Sequence, residues 1–183
     1  MKSRGQAIIV PALCMTAMLC SSAWPDAADA KREDELKAAY LLNFVKFVEW
    51  PAIADDTITL CFVGGDGIQS ALATGIASRK IAHPALLVRR VERTQDVAGC
   101  SLLYLDAATM PSKRGVFRNA AAASVLTVSN AGEFIRSGGM IELFTEYNRL
   151  RFNINLDYIQ RAGLRVSSSL LELAASVEKA EPQ

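Results

Sequence analysis

The chain has 183 residues, a net charge of +1 from 20 basic and 19 acidic side chains, four Cys, one His and 51% hydrophobic residues. The hydrophobic fraction excludes a disordered chain, and the length suits one domain able to bury a core. Near-neutral charge provides no field for gathering nucleic acid or anionic lipid, four Cys are too few for a disulfide-built miniprotein, and a single His removes most zinc sites and most His-based catalysis.

The first thirty residues carry a separate signal. Lys2 and Arg4 precede an uncharged, mainly apolar run from Ala7 to Leu19. A membrane-spanning helix needs about 20 residues, so this run is too short for one. A basic start, a short apolar middle and a small-residue exit read as a secretory signal peptide over residues 1–30. Two small-x-small sites fit, one after Ala23 and one after Ala30, and Pro25 just upstream favours the second. Leu19 before Cys20 argues against a lipidated Cys. Cleavage after Ala30 leaves residues 31–183 as one domain, still at +1, because Lys2, Arg4, Asp26 and Asp29 leave together. It also leaves two Cys, Cys61 and Cys100. They form one disulfide or stand as two buried thiols, and an oxidising compartment outside the cytoplasm favours the disulfide.

Glu33 to Val48 reads as a helix, with Leu36, Tyr40, Phe44, Phe47 and Val48 as its apolar stripe and Glu33–Lys37 as an i,i+4 pair. Pro51 restricts Trp50 and should end it. Thr57 to Val63 is a β-branched apolar run, hence a buried strand, followed by a Gly64-Gly65-Asp66-Gly67 turn and a short helix over Ile68 to Ala73. Further strands are expected at Ala85–Val91, Ser101–Leu105 and Val125–Ser129, with a helix over Lys113–Ala122 and a helical turn at Glu133–Ser137 stopped by Gly138-Gly139.

The last third reads differently. Met140–Tyr147 and Arg149–Leu156 form a hairpin about Asn148, with Leu150, Phe152, Ile154 and Leu156 on one face and Arg149, Arg151, Asn153 and Asn155 on the other. A helical turn over Leu156–Ala162 is capped by Gly163, and Ser169 to Glu172 forms a capping box opening a helix that continues through Val177. Strands alternating with short helices predict an α/β layered single domain. Its sheet is mixed but largely parallel and flanked by helices, with a C-terminal β-hairpin and helix.

Catalytic chemistry is sparse. His83 has no second His, and no G-x-S-x-G elbow accompanies it. No metal loop and no cofactor fingerprint is present. Gly64-Gly65-Asp66-Gly67 imitates the opening of the GGDEF signature but lacks its Glu-Phe, and reads as a tight βα turn. Arg79, Arg89, Arg90, Arg149, Arg151 and Arg165 are the candidate anion ligands, since guanidinium forks suit phosphate or carboxylate. Arg149 and Arg151 share one strand face.

Five stretches, in order behind a signal peptide, carry a resemblance: LKAAYLLNFVKFVEWP (Leu36–Pro51), the strand with Cys61, CSLLYLD (Cys100–Asp106), VLTVSN (Val125–Asn130) and GGMIELFTEYNRLRFNINLDYIQRAGLRVSSSLLELA (Gly138–Ala174). Together they resemble the YfiR-like family of periplasmic proteins over nearly all of residues 31–183. The resemblance implies a regulator rather than an enzyme, periplasmic and homodimeric, with no cofactor. It implies a partner, the periplasmic region of a membrane-bound diguanylate cyclase, whose repression lowers cyclic di-GMP and biofilm formation. It also implies a possible small-molecule role for the Arg of the A-G-L-R segment, Arg165. The next residues are Val166-Ser167-Ser168, with no His to assist. A second Cys pair found in some members is missing from this sequence. A small-ligand-binding module, taking a small anion at Arg165, Arg149 or Arg151, and an envelope interaction protein unrelated to cyclic di-GMP are the alternatives.

Overall fold

A computed structural model describes residues 27–51, 57–79, 85–92, 94–109 and 124–179. The segment read as a signal peptide ahead of residue 27, the helix expected over Lys113–Ala122, and His83 lie outside the described residues.

Helix α1 spans Ala27–Phe47 and buries Ala38, Leu41, Leu42, Phe44 and Val45. Of the expected stripe, Phe44 and Val48 are buried and Tyr40 and Phe47 pack against the core, while Leu36 is 45% exposed; the buried face is wider than that stripe. The cause is a second neighbour. One side of α1 meets the C-terminal hairpin, where Tyr40, Phe44 and Phe152 stack edge-to-face at 5.3–6.1 Å. The other side packs on a second helix. The expected Glu33–Lys37 pair forms at 2.6 Å, with the Lys37 side chain only 10% exposed. After Phe47 the chain opens into β1 (Val48–Glu49), and Trp50 donates its indole N–H to the Ser101 carbonyl at 2.9 Å.

Strand β2 (Thr57–Val63) matches the expected bounds. Gly64 and Gly65 then take positive φ, and α2 (Asp66–Arg79) begins inside the expected turn and runs well past Ala73. The two glycines suffice to reverse the chain, so Asp66 can open the helix. Strands β3 (Ala85–Arg90), β4 (Leu102–Leu105) and β5 (Leu126–Ser129) follow, with a 3-10 turn at Thr94–Val97. The hairpin is β6 (Ile141–Glu146) and β7 (Arg149–Asn155), after which come α3 (Leu156–Arg161), β8 (Arg165–Val166), α4 (Ser168–Leu173) and β9 (Ser176–Glu178).

Seven strands form one sheet in the order β3-β2-β4-β5-β6-β7-β9, and β1 and β8 form a separate antiparallel ribbon. Pairings from β3 to β6 are parallel, β6–β7 is antiparallel and β7–β9 is parallel. The architecture is the expected one: α/β, a mixed and largely parallel sheet flanked by helices, with a C-terminal hairpin and helix. Alternation sends Leu60, Phe62, Leu102, Tyr104, Leu126 and Val128 to the face covered by α1 and α2. Cys61, Val63, Leu103 and Leu105 face a smaller cluster with Val91, Val97 and Phe134. Two buried polar residues of β5 are satisfied: Ser129 donates to the Leu105 carbonyl at 2.7 Å, and Thr127 accepts from the Met140 amide at 3.1 Å.

Two C-terminal expectations need correction. The last helix starts two residues earlier, with Ser167 rather than Ser169 as its N-cap, and stops at Leu173. Val177 belongs instead to β9, in register with Ile154. The open backbone edge of β7 outcompetes helix continuation, beginning with the Ala175 amide donating to the Phe152 carbonyl at 2.8 Å. Asn155, expected on a polar face, is buried as the N-cap of α3 and accepts from the Tyr158 amide at 3.1 Å.

The hairpin turns on Tyr147 and Asn148, both at positive φ, the conformation of a two-residue I′ turn. Tyr147 is 92% exposed there, so packing does not compensate for its backbone. Replacing the pair by Asn-Gly (Tyr147→Asn with Asn148→Gly) is expected to stabilise the fold by about 1 kcal/mol. Urea denaturation should show a higher midpoint at unchanged slope; an unmoved midpoint would mean that the turn stores no strain.

Candidate functional site

Cys61 lies in β2 and Cys100 just ahead of β4, on neighbouring parallel strands, and the structure joins them with Cα atoms 5.9 Å apart. Arg89 on β3 reaches over this bond. Its guanidinium donates to the carbonyls of Asp96 and Ala98 at 2.9 and 3.1 Å, and lies 3.3 and 3.6 Å from the Sγ atoms of Cys100 and Cys61. Arg89 is thus a clamp that holds the 3-10 turn against the sheet. Arg90 is paired with Asp66 at the start of α2. Neither is placed as a free anion ligand.

Arg165 sits on the β1–β8 ribbon opposite Glu49. Its Nε donates to Glu49 Oε2 at 3.0 Å, and a terminal nitrogen lies 2.8 Å from the same oxygen. The pair is open to water, the side chains being 81% and 68% exposed. With Trp50, Pro51 and Gly163 it lines a cavity of about 280 Å³. An aromatic wall, a turn glycine and a guanidinium could receive a small planar anion. Such a ligand must first displace Glu49, and exposed pairs of this kind contribute only about 0–1 kcal/mol.

Arg149 and Arg151 share the exposed face of β7 that the alternation required. Arg151 pairs with Glu146 across the hairpin at 2.5 Å, while Arg149 stands in register with Glu146 and makes no ion pair among the described residues. The structure does not bring these two together with Arg165, which lies on another ribbon with its own acid. The acids Glu49 and Glu146 were missed in the sequence. Glu146 is detectable as a cross-strand neighbour once the hairpin is drawn; Glu49 lies 116 positions from Arg165 and gives no local signal.

No group of three or more His, Cys, Asp or Glu among the described residues could hold a metal ion. No helix among them is long and apolar enough to cross a membrane.

The family model DUF4154, YfiR/HmsC-like, matches residues 34–175. Among solved structures, a conserved domain protein from Vibrio cholerae O1 biovar El Tor str. N16961 aligns with a TM-score of 0.54 at 13% identity, over 79% of this chain and 60% of that one. The ABC domain in complex with L-Trp from Streptococcus pneumonia aligns with a TM-score of 0.52 at 11% identity, over 79% and 60%. The chain spans about 60% of the length of these structures. At such identities the likeness is one of fold.

The Cys61–Cys100 bond closes a separation of 39 residues. In the chain-entropy model, closure of that length stabilises by about 4 kcal/mol. The double variant Cys61→Ala, Cys100→Ala is expected to lose most of this in equilibrium unfolding, and alkylation with and without reductant should reveal no free thiol at either position in the native chain. Stability within 1 kcal/mol of the parent would show that the staple contributes little.

Proposed function

The chain belongs to the YfiR/HmsC-like family, and we propose that it is a periplasmic, non-enzymatic regulator that represses a membrane-bound diguanylate cyclase. In this reading residues 1–30 are a cleaved signal peptide and residues 31–183 act outside the cytoplasm as a homodimer. The partner is the periplasmic sensor region of the cyclase, and its repression lowers cyclic di-GMP and biofilm formation. The observation that carries the reading is the family match over residues 34–175.

The physical form of the repression is population shift: the regulator must bind the partner's inactive state more tightly than its active one. Moving a 99:1 balance to 1:99 needs about 5.5 kcal/mol of differential affinity. An interface of ordinary size, roughly 1,600 Å² in total, can supply it. The exposed flank of α1 and the Arg149/Arg151 face of β7 are the proposed contact surfaces, since each presents side chains that the core does not use.

A second reading is favoured by the cavity beside Arg165: a small anion held by this guanidinium against Trp50. It is compatible with the first if the anion tunes the regulator.

Deleting the gene is expected to raise cellular cyclic di-GMP and biofilm mass. Complementation with the parent should reverse both, while Arg149→Glu with Arg151→Glu should complement poorly at equal periplasmic abundance. Unchanged cyclic di-GMP in the deletion strain would remove the cyclase reading. For the second reading, Arg165→Ala should abolish anion-induced thermal stabilisation of the purified protein with little change in its own melting temperature.

A further inference from the structure

Helices α1 and α2 flank a cavity of about 710 Å³. Ala27 and Ala30 line its outer end and leave with the proposed signal peptide, so the secreted form keeps a more open groove walled by Asp34, Ala38, Leu42, Gly67 and Ala71. Its apolar lining includes Ala38 and Leu42 from α1 and Ala71 from α2. Asp34 lines one end, close against the first turn of α2, and a Cβ on Gly67 would fall inside the contact distance of Asp34 Oδ2.

The charges around Asp34 are unevenly matched. Lys37 is held by Glu33 at 2.6 Å, and Lys31 faces Glu35 at 4.0 Å. Asp34 makes no hydrogen bond or ion pair among the described residues. Burial, with Glu33 and Asp106 nearby, raises its carboxyl above the ordinary value against the pull of Lys37. Behind it the Tyr104 hydroxyl is fully buried and has no hydrogen-bond partner among the described residues. Burial, Asp106, Asp34 and Glu33 together push its ionisation far up, so it stays a neutral O–H with a free acceptor and donor. The hydroxyls of the wall are partly spent, Thr74 donating to the Ser70 carbonyl at 3.0 Å.

The cavity therefore offers an apolar lining with three charged residues, Lys31 and Glu35 facing each other and Asp34 left over, so that its net charge is negative and disfavours an anion. We propose that the groove between α1 and α2 binds a small apolar amine, its ammonium on the Asp34 carboxylate and its hydrocarbon body along Ala38, Leu42 and Ala71. The charge-assisted N–H···O contact fixes orientation, and displacement of water from the lining supplies affinity. This site is distinct from the Arg165 cavity, takes the opposite charge, and does not depend on the identity of the protein partner.

The test is an NMR titration of isotope-labelled protein, purified in its secreted form, with hexylamine, hexanol and hexanoate. Hexylamine should bind saturably and shift amides of residues 34–42 and 67–75, hexanol should bind at least tenfold more weakly, and hexanoate should not bind. Asp34→Asn should weaken hexylamine at least tenfold. Gly67→Ala should do the same while keeping the fold, because its methyl displaces only the mobile end of Asp34 and alanine is the better helix former. Hexylamine that does not saturate, that binds no better than hexanol, or that is unaffected by Asp34→Asn in a folded variant would overturn the proposal.

Discussion

Strand β4 is buried at every position, Leu102 through Leu105, and so is its neighbour β5. A strand with no solvent face must be covered on both sides, and this requirement organises the rest of the molecule. On one side α1 and α2 provide the cover, brought into place by the Tyr40–Phe44–Phe152 stack that ties the first helix to the last hairpin. On the other, the cover among the described residues includes the 3-10 turn, Phe134 and the disulfide. On this face the disulfide joins β2 to the entry of β4, and the Arg89 clamp holds the 3-10 turn against the sheet. The staple and the helical layer answer the same constraint from opposite faces.

That division explains which parts of the fold were legible in the sequence. Thr57–Val63 was readable to the residue because a buried strand is a local composition: β-branched, apolar and closed by Gly64-Gly65. The core face of α1 was legible in part: Tyr40, Phe44, Phe47 and Val48 face the core as expected, and Leu36 does not. A helix touched on two sides has a wider buried arc than any single stripe, so Leu36 was assigned inward and stands in water. Val177 failed for another reason. Its local pattern continues a helix, but the unpaired backbone of β7 lies within reach, and nothing within a ten-residue window shows that edge. Asn155 was misplaced by the same limit of local pattern, since alternation gives the side of a strand and not the helix that begins where the strand ends.

The arginines follow a similar rule. All six were visible as residues, but the partners of Arg89, Arg90, Arg151 and Arg165 lie outside any composition signal, from five positions away for Arg151 to 116 for Arg165. Arg89 looked like a free guanidinium and is consumed by the carbonyls of Asp96 and Ala98 beside the disulfide. Arg165 looked isolated and has Glu49. Arg149 alone among the three named ligand candidates lacks an ion pair among the described residues. The carboxylate of Asp34 was missed altogether: the expected Glu33–Lys37 pair already takes the nearest cation, but nothing local in the sequence shows that the first turn of α2 packs against Asp34.

The energetics of these pairs bears on function. Arg165–Glu49 and Arg151–Glu146 are exposed, so each adds about 0–1 kcal/mol to folding. The fold loses little if either is broken. The guanidinium can therefore exchange its own carboxylate for one on another molecule with small net change, leaving shape complementarity to set the affinity. The interior offers less freedom: the buried hydroxyls of β5 are satisfied, β4 and β5 are buried on both faces, the Cys61 and Cys100 thiols are joined, and the Tyr104 hydroxyl is the unpartnered buried group among the described residues. Among the described residues, recognition is proposed at the rim of the sheet and in the groove beside Asp34. A regulator built this way can act by binding at its surface without reorganising its core, as the proposed repression requires.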